Sequence, residues 1–265
     1  MLLSLSLLAI VACGSDEKTD TANTDTGWQD TGWQDTGSDT GTDTGDTMDT
    51  GAPAMAGVRV LHLSPDAPNV DVFVDDVTPA VLTDLAFLSG TPYAELPAGT
   101  HRFRVAPTGG TATDAVIDVS ADLAAGGKYT AVAVGRVADI EPVLLADDKS
   151  GLAAGSFRVQ VVHAAAAVGE VDIWNLTGGT PSMLLENVPF KGVAALDLPA
   201  GAYRVGIDVN NDASPDVTFS LPNLPADLFV NLFAVSDATN TVWLAAQLPD
   251  GTVAPISAEV PSPSR

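Results

Sequence analysis

One segment in the second half of the chain, DVNNDASPD, carries oxygen-bearing side chains at alternating positions. These residues are Asp208, Asn210, Asp212, Ser214 and Asp216. Oxygen ligands at such spacing wrap calcium in loops of the D-x-[DN]-x-[DN]-G type. Ala213 occupies the glycine position of such a loop, and Phe219 the position of its bidentate glutamate. The segment is therefore either a calcium site or a solvated hairpin turn, and no other cofactor is expected.

Two His and Asp pairs occupy equivalent positions in the chain. His62 precedes Asp71, and His163 precedes Asp172, with the members of each pair on consecutive predicted strands. A histidine beside a carboxylate can transfer protons, but no nucleophile accompanies both pairs, because Ser64 has no counterpart in the second copy. We therefore interpret each pair as a structural hydrogen bond that closes a loop. A hydrolase would instead require a cleft of His and carboxylate side chains shared by the two copies.

The spacing signatures of common catalytic sites do not occur in the chain. There is no G-x-x-x-x-G-K-[ST], H-E-x-x-H or G-x-S-x-G sequence. Three histidines and one cysteine are too few for a zinc enzyme site. The sequence predicts a protein that is not an enzyme.

The single cysteine follows an apolar N-terminal segment. Residues 1–12, MLLSLSLLAIVA, suit a signal-peptide core, although no Lys or Arg precedes them, and are far shorter than the roughly 20 residues of a membrane-spanning helix. Ile10 to Gly14 resembles the bacterial lipobox, which implies lipidation of Cys13 and a membrane anchor within residues 1–13. Gly14 after the cysteine resembles the signal that sorts lipoproteins of enteric bacteria to the outer membrane. We expect an exported, lipid-anchored protein at the outer membrane or cell surface.

Residues 14–56 are rich in Asp, Thr and Gly and include a duplicated WQDTG. No periodic apolar face occurs here, so the segment cannot bury enough area to offset the entropy of ordering it. We expect a disordered linker whose roughly 43 residues have a root-mean-square reach of ~35 Å.

The remainder of the chain contains an internal repeat with a period of about 101 residues. Val58 to Val74 aligns without a gap on Val159 to Asn175, and LPAGTHRFRV aligns on LPAGAYRVGI. Apolar and polar residues alternate as in strands, with turns at the LPAG segments. We predict an all-β fold of two tandem β-sandwich domains, immunoglobulin-like or transthyretin-like, each with its own core. The expected bounds are 57–150 and 156–252, with a disordered tail at 253–265.

The segment HLSPDAPNVDVFVDD, with a central LPAG hairpin and an AVAVG strand, resembles the bacterial family known as domain of unknown function 4397. The resemblance extends from Val58 to about Gly251. It implies an exported protein of sandwich fold, often in tandem copies, without a known activity. The first copy has the full SPDAP loop, Ser64 to Pro68, where the second has Ala165 to Gly169.

The charge of the chain limits its partners. A formal net charge of −23 repels phosphate backbones, and the few basic residues, such as Arg59 and Lys128, are scattered along the sequence, so no nucleic acid is expected. The apolar run from Leu228 to Ala234 predicts a buried central strand.

Tandem copies on a tether favour a non-enzymatic binding or adhesion module whose partner is a glycan or an envelope protein, since linked weak sites gain from effective concentration. The alternative is a purely structural envelope protein without a discrete ligand.

Overall fold

The computed structural model describes residues 53–237, 239 and 241–259, and strands dominate this part of the chain. The first half, residues 53–150, contains β1 (Met55–His62), β2 (Val70–Val74), β3 (Leu82–Leu85), β4 (Ala94–Pro97), β5 (Gly99–Pro107), β6 (Ile117–Leu123), β7 (Lys128–Val134) and β8 (Glu141–Ala146). The second half, residues 151–259, contains β9 (Ser156–His163), β10 (Val171–Asn175), β11 (Ser182–Val188), β12 (Val193–Pro199), β13 (Gly201–Asp208), β14 (Val217–Leu224), β15 (Phe229–Ser236), β16 (Val242–Gln247) and β17 (Val253–Ile256). Two short 3-10 helices, Ala112–Asp114 and Val137–Asp139, complete the elements of the described residues. The predicted all-β class is confirmed.

In the part of the chain that the structure describes, no helix has the length and hydropathy needed to cross a membrane.

The strands form four sheets, and the second half repeats the strand order of the first. Sheet A has the order β4-β1-β7-β8, and sheet B the order β3-β2-β5-β6. Sheet C has the order β12-β9-β15-β16-β17, and sheet D the order β11-β10-β13-β14. The pairs β1 with β7 and β9 with β15 are parallel, and the other paired strands are antiparallel. Both halves therefore have one topology, to which the second adds β17.

The LPAG segments, predicted as hairpin turns, are corners between sheets. β4 ends at Pro97 in sheet A, and β5 begins at Gly99 in sheet B, so the two strands do not pair with each other. Gly99 has a φ of 138°, which other residues rarely adopt. The sequence located the turn correctly, but consecutive strands of a sandwich often belong to different sheets.

Each half has a hydrophobic core between its own two sheets. The core between sheets A and B consists of two clusters, one around Val72 and Val105 and the other around Val58 and Phe103. The core between sheets C and D is a single larger cluster around Phe157 and Phe219.

A third core lies between sheets A and C and joins the halves. Its buried members are Leu61, Leu63, Val132, Val134, Leu145, Val162, Ala164, Phe233, Val235 and Ala245. The described residues from 53 to 259 accordingly form one compact unit with the layer order B, A, C, D. The prediction of one core for each domain omitted this contact, because alternation along a strand does not show whether its second face is covered.

The contact between sheets A and C is approximately twofold symmetric. Asn231 Nδ2 donates a 3.2 Å hydrogen bond to Thr130 Oγ1, and these residues are 101 positions apart, which is the period of the repeat. The equivalent residues Val132 and Phe233 also lie in the shared core. The two copies therefore meet through the same face, as identical subunits do in an isologous dimer.

Burial on both faces explains the apolar run in β15. Every residue of this strand after Phe229 is buried, because sheet C is covered by sheet D on one face and by sheet A on the other. The predicted buried central strand is confirmed.

The structure moves two predicted boundaries. β1 begins at Met55, inside the linker predicted for residues 14–56. β17 lies inside the tail predicted to be disordered at 253–265 and pairs with β16. Glu259, beyond β17, accepts hydrogen bonds from the Arg204 guanidinium at 2.6 and 2.8 Å. These contacts order a segment whose composition alone gives no strand signal.

Candidate functional site

His62 and His163 close equivalent loops by bonding to the backbone. His62 Nε2 lies 3.3 Å from the carbonyl oxygen of Pro68, and His163 Nε2 lies 2.7 Å from that of Gly169. In each ring Nδ1 accepts a backbone N–H two residues later, at 3.4 Å in the first copy and 3.3 Å in the second. Both rings are buried, and burial lowers the pKa of each below its ordinary value. Each histidine is therefore a neutral loop closure.

The aspartates predicted to pair with these histidines bond elsewhere. Asp71 accepts hydrogen bonds from the backbone N–H groups of Asp84 and Gly109, at 2.8 and 3.0 Å. Asp172 accepts one from the backbone N–H of Asn187 at 2.6 Å. Each loop is thus closed by a bond between the histidine and the backbone. The predicted His–Asp hydrogen bond is wrong, because the Asp71 carboxylate accepts a backbone N–H of β3 and the Asp172 carboxylate accepts one of β11.

Asp208, the first residue of the predicted calcium segment, is the last residue of β13 and fully buried. Its carboxylate accepts hydrogen bonds from the backbone N–H groups of Asn210, Asn211 and Ser214, at 3.1, 2.7 and 3.2 Å. Burial opposes ionisation, but the backbone N–H groups of Asn210, Asn211, Ala213 and Asp212 hold the pKa of the Asp208 carboxyl below its ordinary value.

The other oxygens of this segment also bond within it. Asn210 Oδ1 accepts the backbone N–H of Asp212, Asp212 Oδ1 accepts that of Ser214, and Asp216 Oδ2 accepts that of Val209. Among the described residues, no group of three or more His, Cys, Asp or Glu side chains is arranged to hold a metal ion. The geometry fits the hairpin-turn interpretation, and calcium binding here stays a hypothesis. Cys13, the predicted lipidation site, lies outside the described residues.

A cleft of about 340 Å³ opens where the two halves meet. We call it the junction cleft, and it is lined by Arg59, Tyr93, Lys128, Asp147, Lys149, Asp227, Leu228, Phe229 and Pro249. A second hollow, of about 450 Å³, adjoins it and shares Lys128, Asp147 and Lys149. The volume of the junction cleft lies in the range of small-ligand sites, roughly 300–1,000 Å³.

The floor of the junction cleft is a buried ion pair. Arg59 Nη2 lies 3.1 Å from Asp147 Oδ2, and each side chain is 1% exposed. Arg59 also donates to Thr130 Oγ1 at 2.7 Å and to the carbonyl oxygen of Leu248 at 2.8 Å, which reaches into the second half. Asn231 Nδ2 donates to Asp147 Oδ1 at 3.1 Å from the other side. This network fixes the two halves at the cleft.

Tyr93 lies between the buried ion pair and the open cleft. Its hydroxyl donates a 2.5 Å hydrogen bond to Asp147 Oδ2. The Arg59 guanidinium carbon lies 4.6 Å from the ring centroid, and Lys128 Nζ lies 5.0 Å from it. Burial, and then the bond to Asp147, raise the pKa of Tyr93 well above its ordinary value. The phenol therefore stays neutral, and its ring forms a fixed wall.

The sequence did not reveal this cleft, because its basic residues are far apart along the chain. Arg59 and Lys128, interpreted as scattered, lie on the adjacent strands β1 and β7. One signal was present in the repeat, since Thr130 and Asn231 are polar at equivalent positions in the interior of two mainly apolar strands. Polar residues repeated in a buried strand indicate a hydrogen-bond partner inside the fold.

Comparison with protein families supports the resemblance in part of the chain. Residues 56–174 match the family model of Domain of unknown function (DUF4397). The match covers almost all of the first half and continues through β9 and most of β10.

Solved structures resemble the chain only distantly. The Bacillus anthracis TIE protein is 12% identical with a TM-score of 0.21, and the match covers 78% of this chain and 46% of that one. A leucine-rich repeat protein from Bacteroides thetaiotaomicron VPI-5482 is 13% identical with a TM-score of 0.19, over 77% of this chain and 25% of that one. A candidate adhesin from Bacteroides ovatus is 10% identical with a TM-score of 0.21, over 78% of this chain and 95% of that one. The chain thus spans less than half the length of the first two.

No curated protein matches the chain. The similarity that the comparisons support is therefore to DUF4397, over residues 56–174.

Proposed function

We propose that this chain is a non-enzymatic binding or adhesion module, held at the outer membrane or cell surface by a lipid on Cys13 and a flexible linker. The observation that carries the proposal is the junction cleft, which has a suitable volume and is lined by both halves.

The rigidity of the cleft supports a binding role. The shared core and the buried Arg59–Asp147 pair hold the halves in one arrangement before any ligand arrives. A preformed site avoids part of the entropy that a mobile site loses on binding. The lining residues therefore need little rearrangement to receive a ligand.

The sequence of the N-terminal segment suits display at a distance from a membrane. A lipidated Cys13 anchors the chain, and a linker of roughly 43 residues gives a reach of ~35 Å, which charge repulsion between its aspartates extends. The partner in this arrangement is a glycan or a protein of the envelope.

A binding assay distinguishes this function from that of a structural protein without a ligand. The fragment for the assay begins at Pro53 rather than Gly57, because β1 starts at Met55. We expect saturable co-sedimentation of residues 53–265 with the envelope or polysaccharide fractions of the producing organism. Binding that is absent, or that rises linearly without saturation, favours the structural alternative.

A matched variant tests whether the cleft is responsible. Phe229→Ser removes an apolar, half-buried wall of the cleft, whereas Val193→Ser removes an exposed apolar residue of sheet C outside it. We expect only the first change to weaken the saturable binding. Circular dichroism of both variants verifies that they remain folded.

A further inference from the structure

The basic side chains of this acidic protein are almost all committed to internal ion pairs. Seven described residues pair with a carboxylate within 4.0 Å: Arg59, Arg102, Arg104, Lys149, Arg158, Lys191 and Arg204. The chain has 34 acidic residues for 11 basic ones, so a carboxylate partner is easy to find. Lys128, in contrast, has no carboxylate at this distance among the described residues, and its ammonium contacts the Tyr93 ring.

The two acids that line the junction cleft, Asp147 and Asp227, are already engaged. Asp147 Oδ2 receives Arg59, the Tyr93 hydroxyl and the Thr130 hydroxyl, and its Oδ1 receives Asn231. A carboxylate has about four acceptor positions, so Asp147 has none to spare.

Asp227, the other acid of the cleft, pairs with Lys149 at 2.9 Å. The charges of the lining residues then cancel except for one ammonium, that of Lys128. The residues that line the cleft therefore carry one net positive charge, on a protein whose net charge is −23.

The surface beside Lys128 is apolar and comes from the second half. Leu228 and Phe229 are half-buried, and Pro249 is exposed. A ligand that fits both features carries an anionic group for the ammonium and a ring with an apolar face for this wall.

We infer that the junction cleft binds an acidic saccharide, with its carboxylate on Lys128 and a sugar ring against Leu228, Phe229 and Pro249. This inference rests on the proposed binding function and names the ligand class of the same site. It also explains why one lysine of the cleft is left without an internal partner.

The test uses residues 53–265 and two probes with the same sugar backbone, one with charged carboxylates and one with neutral methyl esters. Isothermal titration compares an oligogalacturonate with the same oligosaccharide after methyl esterification, at an ionic strength of about 0.15 M. There the Debye length is ~8 Å, so the net charge of the chain is screened outside the cleft. We expect saturable binding of the acid and binding of the ester that is weaker by up to about fivefold, the upper end of the range of an exposed ion pair.

Two charge-matched variants locate the site. Lys128→Gln should weaken binding of the acid about as much as esterification does. Lys191→Gln removes a lysine that pairs with Glu141 at the opposite end of β8, and it should leave binding within about twofold. Lys128 is exposed, so its substitution leaves the fold intact.

The outcomes separate this inference from the proposed function. If acid and ester bind equally, or if Lys128→Gln has no effect, the acidic saccharide is not the ligand. The proposed binding function is still supported in that case if the protein binds the envelope fractions saturably. Absence of saturable binding to both probes and to the envelope fractions overturns both.

Discussion

The two halves share one topology but fill it differently. The core of the first half is divided into two clusters and contains a cavity of about 60 Å³, whereas the core of the second half is one cluster with a cavity of about 30 Å³. Paired strands also exchange their large residues, since Phe103 faces Val119 in the first half and Val205 faces Phe219 in the second. The comparison shows that the fold fixes the volume of a cross-strand pair rather than the residue at each position.

The loops after β1 and β9 give the same lesson. Their sequences differ, SPDAP in one and AAAVG in the other, yet His62 and His163 bond to them in the same way. Hydrogen bonds from the histidine side chain to backbone atoms of the loop maintain its conformation. The side chains of the loop residues could therefore differ between the two halves.

The largest expected difference between the halves concerns Arg59 and Gln160, which occupy equivalent strand positions. Arg59→Ala should lower the free energy of unfolding by about 3–5 kcal/mol, because it leaves the buried Asp147 carboxylate without its cation. Gln160→Ala should cost less than about 1 kcal/mol, because it loses one hydrogen bond near the surface. Urea denaturation of both variants measures the two changes in the free energy of unfolding. Equal changes would show that the hydrogen-bond network of Arg59 and Asp147 does not stabilise the contact between the halves.

The next difference concerns the equivalent residues Ala133 and Ala234, both buried. Ala133 lines the larger cavity, so Ala133→Val should raise the free energy of unfolding by about 0.5–2 kcal/mol. Ala234 lines the smaller cavity, so Ala234→Val overpacks it and should lower the free energy of unfolding by about 1–3 kcal/mol. Opposite signs in thermal and urea denaturation support the comparison of the cores, and destabilisation by both variants contradicts it.

Acid should destabilise both halves through the same histidine. Burial lowers the pKa of His62 and His163 in the folded state, so their contribution is complete above the unfolded pKa of about 6.5 and is lost as pH falls below it. We expect the free energy of unfolding to decrease between about pH 7 and pH 5, and the double variant His62→Gln, His163→Gln to reduce that slope. An unchanged slope would mean that these rings do not titrate on unfolding.

A smaller pH effect belongs to the first half alone. The Asp75 carboxylate, 2.8 Å from His101 Nδ1, raises the pKa of His101, whereas the equivalent Tyr203 contacts the carbonyl oxygen of Pro199 without titrating in this range. The stabilisation by His101 is present below about pH 6.5 and is lost as pH rises through the raised pKa. His101→Tyr should therefore be less stable than the parent near pH 6, with a narrower gap at pH 8, in parallel urea titrations.

The smallest expected effect is that of calcium on the Asp208 loop, which has no equivalent in the first half. Its oxygens already accept backbone N–H groups, so we expect millimolar calcium to leave the melting temperature unchanged. A true site at 100 times its dissociation constant would add about 2.7 kcal/mol of stability. A rise that disappears in Asp212→Asn, and not in a control substitution at Asp250, would restore the calcium interpretation.

Local signals predicted the elements well and their partners less well. The alternation of apolar and polar residues predicted the strands, and the internal repeat predicted two related halves. Both signals can be found by comparing stretches of sequence, without knowing which strands pair. The LPAG corners and β17 were misread, because whether a strand pairs with its neighbour in the chain depends on residues far away. The His–Asp bond failed for the same reason, since backbone N–H groups compete for the carboxylate and do not appear in a sequence pattern.

Composition and periodicity were enough to predict the all-β class, the repeat, the buried character of β15 and the excess of negative charge. The face-to-face packing of sheets A and C, and the meeting of Arg59, Tyr93, Lys128 and Asp147 in one cleft, are visible only in the folded chain. Periodicity reports whether a strand has an apolar face, which is a local property. Which surface covers that face depends on the free energy of the whole assembly, to which residues about 100 positions apart contribute together.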